Sequence, residues 1–161
     1  KSFAGEAGDW FFDPHASVGF NTVQGTNFRL GADLGIYITE TVRGGVGGYY
    51  AFGEKPQYDR EIGAGPFVDY VLPLASFLVL SAREEVDYVD ARVPVTVTTV
   101  NGPEDSYEKL TGVNSATSVG VHVFFTPNFV VSAGYRAVLA LTNFRLDDGR
   151  SGTFFGFAFG I

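Results

Sequence analysis

The last ten residues, Gly152 to Ile161, constrain the fold of this chain more than any other stretch. From residue 155 onwards, bulky apolar side chains occupy the odd positions: Phe155, Phe157, Phe159 and Ile161. The even positions carry Gly and Ala, apart from Phe154. Because side chains alternate between the faces of a strand, this pattern predicts a strand with one large apolar face and one small face. An uncharged, bulky outer face is typical of a strand that faces lipid in a transmembrane β-barrel.

The same alternation continues back along the chain to Trp10 and predicts eight strands. Short connections near 39–41, 73–76 and 126–128 alternate with longer polar ones near 21–27, 53–61, 89–111 and 143–151. Hairpin symmetry about the longer connections pairs residue 42 with 72 and residue 77 with 126. We therefore predict an all-β, eight-stranded antiparallel up-and-down transmembrane β-barrel over residues 10–161, whose last strand closes onto the first. Residues 1–9 are predicted to be an N-terminal extension.

Length and composition exclude several other classes of protein. The 161 residues suit one domain and are enough for eight membrane strands of about 9–11 residues each. The chain has no Cys, which excludes a disulfide scaffold and a thiolate metal site. No apolar run approaches the roughly 18 residues that a membrane helix needs. The net charge of −7 argues against nucleic acid as a partner. A start at Lys1 without a signal peptide is what we expect of a processed mature chain.

Together with the alternating C-terminal aromatics, the turn Phe125–Phe129 that feeds Ala133–Arg136 carries a resemblance to a known group. From Trp10 to Ile161 the chain resembles the small eight-stranded outer-membrane barrels typified by outer-membrane proteins A and X. The resemblance implies a Gram-negative outer-membrane location, lipid around the barrel, and a porin-like or adhesion protein. It also implies a C-terminal signal read by the assembly machinery, here Phe155, Phe157, Phe159 and Ile161. That family usually ends in Phe or Trp, and this chain departs from it by ending in Ile161.

Charged residues of the predicted strands collect at inward positions. We predict a lumen network made of Arg29, Asp33, Arg43, Asp69, Arg83, Glu85, Asp87, His122 and Arg136. Four Arg and four acids balance, and the cost of an unpaired charge in a narrow lumen predicts that they form ion pairs which plug it. The alternative is a small gated pore in which the pairs exchange partners. Glu84 interrupts the apolar face of the fifth strand, so we expect it to lie above the bilayer or to mark a bulge.

No residue pattern predicts an enzyme. Lipid A deacylases of this size use a His-Ser pair on the lipid-facing surface, whereas His122 points inward and is followed by Val-Phe-Phe. His15 is also predicted to point inward, and two His without further ligands make a poor metal site, so no metal and no cofactor is expected. Aromatic residues near the strand ends predict an interfacial girdle: Trp10, Tyr49, Tyr50, Tyr70, Phe124, Phe129, Tyr135 and Phe154.

The segment 89–111 is the best candidate for activity. If the fifth and sixth strands continue through it, they form a hairpin above the membrane whose exposed edge can pair with a surface partner. The alternative is a passive loop. A competing interpretation of the whole chain comes from Gly8-Asp9-Trp10, which fits the opening motif of lipocalins. In that soluble carrier of a lipophilic ligand, every strand face would be inverted.

Overall fold

The computed structural model describes residues 5–21, 25–53, 60–100, 102–126, 128–142 and 151–159. Their strands are β1 (Trp10–Asn21), β2 (Gly25–Tyr37), β3 (Val42–Gly53), β4 (Arg60–Ala75), β5 (Leu78–Thr99), β6 (Gly102–Thr126), β7 (Phe129–Ala140) and β8 (Gly152–Phe159). Each strand pairs antiparallel with the next, and β8 pairs with β1, so the sheet is a closed barrel. The predicted fold class is confirmed. No helix among the described residues is long and apolar enough to cross a membrane.

Apolar side chains face out of the barrel and charged side chains face in. On β2, Leu30 and Leu34 are 53% and 47% exposed, whereas Asp33 between them is 4% exposed. A lipocalin-like carrier needs the opposite arrangement, with the apolar residues inside. The lipocalin alternative is therefore wrong, and the outer surface suits hydrocarbon.

The strand register differs from the predicted pairing by two residues. Val42 pairs with Tyr70 instead of residue 72, and the backbone N–H of Phe124 donates to the carbonyl of Phe77 at 2.9 Å. A shift of two residues keeps every side chain on its predicted face, because the side-chain period of a strand is two. At the end of the barrel with the short turns, β4 continues to Ala75 and the turn before β5 is shorter than predicted.

The structure contradicts both expectations for Glu84. The pairing of β4 with β5 runs through it without a register shift, since Glu84 pairs with Val68 and the next residue pairs with Phe67. Glu84 is exposed on the outer face. Val86 and Tyr88 lie further up the same face and are 43% and 59% exposed. Glu84 is therefore neither at a bulge nor above the apolar band.

Part of the predicted aromatic girdle is also wrong. Tyr49 is 8% exposed, and Phe124 and Phe154 line the lumen. These residues were assigned by nearness to strand ends, but the alternation of side chains decides which face they occupy. Tyr135 does face outward, yet it lies in the middle of β7 and not at an end. Trp10 begins β1 and Tyr50 lies near the end of β3, and both are exposed on the outer side. Tyr70 is exposed further inside β4, and Phe129, which begins β7, also lines the lumen cavity.

Candidate functional site

Glycines on the lumen side of β3 and β4 make room for large polar side chains. A Cβ on Gly47 would overlap the carboxylate of Asp33, and a Cβ on Gly63 would overlap the ring of Tyr49. The approach of the backbones is closer still at Gly65, where a Cβ would overlap the carbonyl oxygen of Val86 on β5. Only Gly fits at such a contact. The glycine-rich sequence of these strands thus creates the space that the ion pairs fill.

Glu85 is the centre of one group of ion pairs. Its side chain is 4% exposed and accepts from Arg83 Nε at 2.8 Å and from Arg29 Nη2 at 3.3 Å. Arg136 forms a third, closer pair with Glu85 and also contacts Asp87 at 3.5 Å. Three guanidinium groups from β2, β5 and β7 therefore meet one carboxylate across the barrel.

Arg43 and Arg83 form a second group on the side of β1 to β4. Arg43 donates to Asp69 Oδ2 at 2.9 Å and to Asp13 Oδ2 at 2.5 Å. Arg83 forms a bidentate pair with Asp33 and lies 4.0 Å from Asp69. Since Arg83 also contacts Glu85, it joins the two groups into one network.

The structure brings together the eight predicted charged lumen residues and adds two acids. Asp13 pairs with Arg43, and buried Glu61 accepts a hydrogen bond from the hydroxyl of Tyr49 at 2.6 Å. The Arg29 guanidinium stacks on the Tyr49 ring at 3.5 Å. Six carboxylates thus face four guanidinium groups in the described lumen, and the predicted balance of charge is wrong. Both acids have the inward parity of their strands, so alternation alone could have found them.

His122 lies apart from the ion pairs. Its ring bridges two hydroxyl groups, with Nε2 2.6 Å from Ser81 Oγ and Nδ1 2.7 Å from Ser132 Oγ. This places His122 in the lumen but outside the charged network to which it was assigned. His15 also faces inward, 3.2 Å from the carbonyl of Asp13. The described residues contain no group of three His, Cys, Asp or Glu that is arranged to hold a metal ion.

The lumen contains a cavity of about 1180 Å³. Its lining runs from Glu6 and Asn128 at one end to Asn114 and Gly152 towards the other. Beyond the cavity, on the side of β5 to β7, buried apolar side chains pack together: Val89, Ala91, Leu110 and Ala140. The described lumen therefore combines charged residues with apolar ones such as Phe11, Val79 and Phe124, and it carries an apolar cluster at the end away from the short turns.

β5 and β6 extend beyond β4 and β7 as a protruding hairpin. This hairpin comprises residues 93–112. Among the described residues, pairing of β5 with β4 stops at Arg92, and pairing of β6 with β7 stops near Val113. β5 and β6 pair with each other as far as Thr99 and Gly102. At the base of the hairpin, Lys109 Nζ lies 2.7 Å from Asp90, and this hydrogen bond raises the pKa of the Lys109 amine.

The predicted C-terminal signal lies on the outer face of β8 where it is described. Phe155 and Phe157 are 57% and 46% exposed, and Phe155 contacts Phe20 of β1 with 6.1 Å between ring centroids. The Phe159 side chain and Ile161 lie outside the described residues. These contacts close the barrel, and the role of the segment in assembly stays a prediction.

No protein-family model matches this sequence, and no curated protein is similar to it in sequence. Solved structures are similar in fold. The N-terminal β-barrel domain of Pseudomonas aeruginosa OprF superimposes with a TM-score of 0.64 at 14% identity, covering 94% of this chain and 97% of that one. Neisserial surface protein A gives 0.59 at 18% identity, with 94% of both chains covered.

A third similar structure is Ail, the attachment invasion locus protein of Yersinia pestis. It gives a TM-score of 0.51 at 17% identity, covering 96% of this chain and 99% of Ail. Ail has also been solved in complex with the heparin analogue sucrose octasulfate. At these identities the likeness concerns the fold. It confirms the resemblance to small eight-stranded outer-membrane barrels, and none of these names describes an enzyme.

Proposed function

We propose that this chain is a non-enzymatic barrel of the bacterial outer membrane whose lumen is closed by its ion pairs and whose hairpin contacts a partner outside the cell. The lipid-suited exterior and the barrel fold support the location. The observation that carries the surface role is the length of β5 and β6, which have 22 and 25 residues, whereas β1 and β7 have 12. Strands of about 9–11 residues suffice to cross a membrane, so the excess stands above it.

The hairpin offers an open backbone edge. The even-numbered residues of β6 direct their backbone N–H and C=O groups to β5. The odd-numbered residues therefore direct theirs to the opposite edge of β6. At Asp105, Tyr107 and Lys109, which lie above Val113, the described residues include no strand beside these backbone groups. An extended segment of another protein can add to such an edge as a further strand.

The charge of the hairpin favours a protein over a sulfated polysaccharide. Residues 93–112 contain the acids Glu104, Asp105 and Glu108 and a single base, Lys109. A ligand such as the heparin analogue bound by Ail carries many negative charges and would be repelled by this surface. We therefore expect the partner to be a protein with an extended segment.

Binding of proteoliposomes to animal cells tests the surface role. A variant in which residues 94–107 are replaced by Asn-Gly leaves the hydrogen-bonded pair Val93 and Glu108 on either side of the new turn, keeps all described pairing with β4 and β7, and shortens only the hairpin. We expect the full chain to bind and the shortened variant to lose binding. Tyr107→Pro removes one edge N–H and should weaken binding, whereas Tyr107→Thr keeps it. Equal binding of the full and shortened chains would refute the surface role.

A small pore is the second candidate, favoured by the lumen cavity of about 1180 Å³. Single-channel recording separates it from a closed lumen. Steady conductance that changes in Arg136→Ala or Asp69→Ala would favour the pore, because both side chains belong to the network that blocks the lumen. A closed lumen predicts no steady conductance from the unsubstituted chain.

A further inference from the structure

Three basic side chains form one row across the outer face of β4, β5 and β6. Arg60 pairs with Arg92, and Arg92 pairs with Lys109. Even positions of β4 and β5 and odd positions of β6 face outward, so all three side chains lie on the outside of the barrel. Every other Lys or Arg among the described residues points into the lumen. The outer surface of the described barrel thus carries its positive charge at one place.

The register of this row places like charges opposite one another at two successive strand boundaries. Such pairs destabilise a sheet, because opposite Cβ atoms lie only about 4.5–5.5 Å apart. One described acid accompanies the row on the outer face, since the carboxylate of Asp90 lies 2.7 Å from Lys109 Nζ. This hydrogen bond raises the pKa of the Lys109 amine, whereas the charge of Arg60 opposes the rise, so the bases act on one another. Three bases and one acid leave an excess of positive charge that an anion from outside the chain would offset.

The row lies at the depth of the lipid headgroups. Arg92 follows Leu78, which begins β5, by fourteen residues. In a tilted strand this is a rise of about 35 Å. The apolar band of such a barrel is about 25 Å tall, so a row at this height stands about 10 Å above an edge that Leu78 begins. Tyr88 is 59% exposed on the same face and lies four residues below Arg92, which agrees with an aromatic residue at the upper edge of the band.

An aromatic ring orients the central base of the row. The guanidinium carbon of Arg92 lies 3.9 Å from the centroid of the Tyr107 ring. A guanidinium group that stacks on a ring keeps its N–H donors free at its edge, in a fork that matches two phosphate oxygens. Arg60 on one side supplies a second fork, and Lys109 on the other side supplies a point charge. A phosphate group has the charge and the oxygen atoms that suit this set of donors.

We propose that this row binds the phosphate group of a lipid in the outer leaflet. Its depth favours a lipid over a soluble anion, because the bases stand on lipid-facing strands just above the apolar band. Ile62 and Tyr88 lie below the row and are 49% and 59% exposed, so they contact the acyl chains of the same lipid. The acids Glu104 and Glu108 of the hairpin lie on the opposite face of β6 from Lys109. The proposal uses the outer-membrane location and is independent of any partner of the hairpin.

Quenching of tryptophan fluorescence by brominated lipid tests this proposal. The chain has a single Trp, Trp10, so a Trp10→Phe background carries one introduced fluorophore. Tyr88→Trp places it below the row, and Phe20→Trp is the control on the opposite side of the barrel. Each position lies ten residues from the short-turn end of its strand and is exposed on the outer face. In proteoliposomes of phosphatidylcholine with a minor fraction of brominated phosphatidate, we expect several-fold stronger quenching at Tyr88→Trp. Brominated phosphatidylcholine calibrates the accessibility of each position, and equal enrichment of phosphatidate at both would overturn the proposal.

Substitution of the bases in the Tyr88→Trp background identifies the cause. Arg60→Gln and Lys109→Gln should each lower the association constant for phosphatidate about fivefold, whereas Arg60→Lys keeps the charge and should keep most of the enrichment. The change in gel mobility on boiling shows whether each variant has folded. Unchanged enrichment when both bases are replaced by Gln would overturn the proposal. Inorganic phosphate should displace no more lipid than sodium chloride of the same ionic strength, and full displacement by phosphate alone would assign the row to a soluble anion instead.

Discussion

Substitution of the adjacent residues Glu84 and Glu85 distinguishes what the lumen contributes to the free energy of unfolding from what the lipid-facing surface contributes. Glu85 points inward to three guanidinium groups, whereas Glu84 points outward to Thr117. Glu→Gln at either position keeps size and hydrogen-bonding capacity and removes one negative charge. We expect Glu85→Gln to lower the free energy of unfolding strongly and Glu84→Gln to change it little in detergent micelles. The pair forms a matched control because the strand, the side chain and the chemistry are the same.

The contacts set the magnitude. Arg83 keeps Asp33 and Arg136 keeps Asp87 after Glu85→Gln, but no other described carboxylate pairs with Arg29. Removal of one partner from a buried ion pair costs about 3–5 kcal/mol. The lumen cavity admits water, which lowers the cost, so we expect about 3 kcal/mol for Glu85→Gln. For Glu84→Gln we expect under about 1 kcal/mol, as for exposed groups.

Urea titration of the folded barrel in micelles, followed by the gel mobility of unboiled samples, measures both values. A second set of measurements uses the Arg29→Gln background, which lacks the guanidinium group that Glu85→Gln leaves without a carboxylate partner. In that background the cost of Glu85→Gln should fall by about 1–2 kcal/mol, because the two side chains are in direct contact. If Glu85→Gln costs less than about 1 kcal/mol, or no more than Glu84→Gln, then the ion pairs do not stabilise the lumen.

Two further substitutions test the packing of the barrel. Gly65→Ala should cost at least about 2 kcal/mol because its Cβ would meet the β5 backbone, and Gly48→Ala is the control, since its Cβ would have no heavy atom nearer than 3.7 Å. Equal folding yields of the two variants would contradict this. Tyr49→Phe removes the 2.6 Å hydrogen bond to Glu61 and should cost about 1–3 kcal/mol in the same urea titration. An unchanged midpoint would show that this bond contributes nothing to stability.

Alternation of side chains accounts for what could be predicted from the sequence. It predicted the eight strands and the inward direction of eight of the ten described lumen charges, because a strand has only two faces. It could not give the register within two residues, since pairing Val42 with Tyr70 or with residue 72 produces the same faces. For the same reason the partner of each Arg was beyond prediction. Arg29 meets Glu85 across three strand boundaries, and that distance depends on every register between them.

The surplus of acids in the lumen bears on the choice between a plug and a pore. Six carboxylates face four guanidinium groups in the described lumen, so its lining carries more acids than bases. Glu61 stands nearest to one end of the barrel, whereas Asp13 stands towards the other, so the surplus is spread along the cavity. An open lumen with this lining would attract cations and repel anions. Selectivity for cations would therefore agree with these contacts, and selectivity for anions would require a rearrangement of the network.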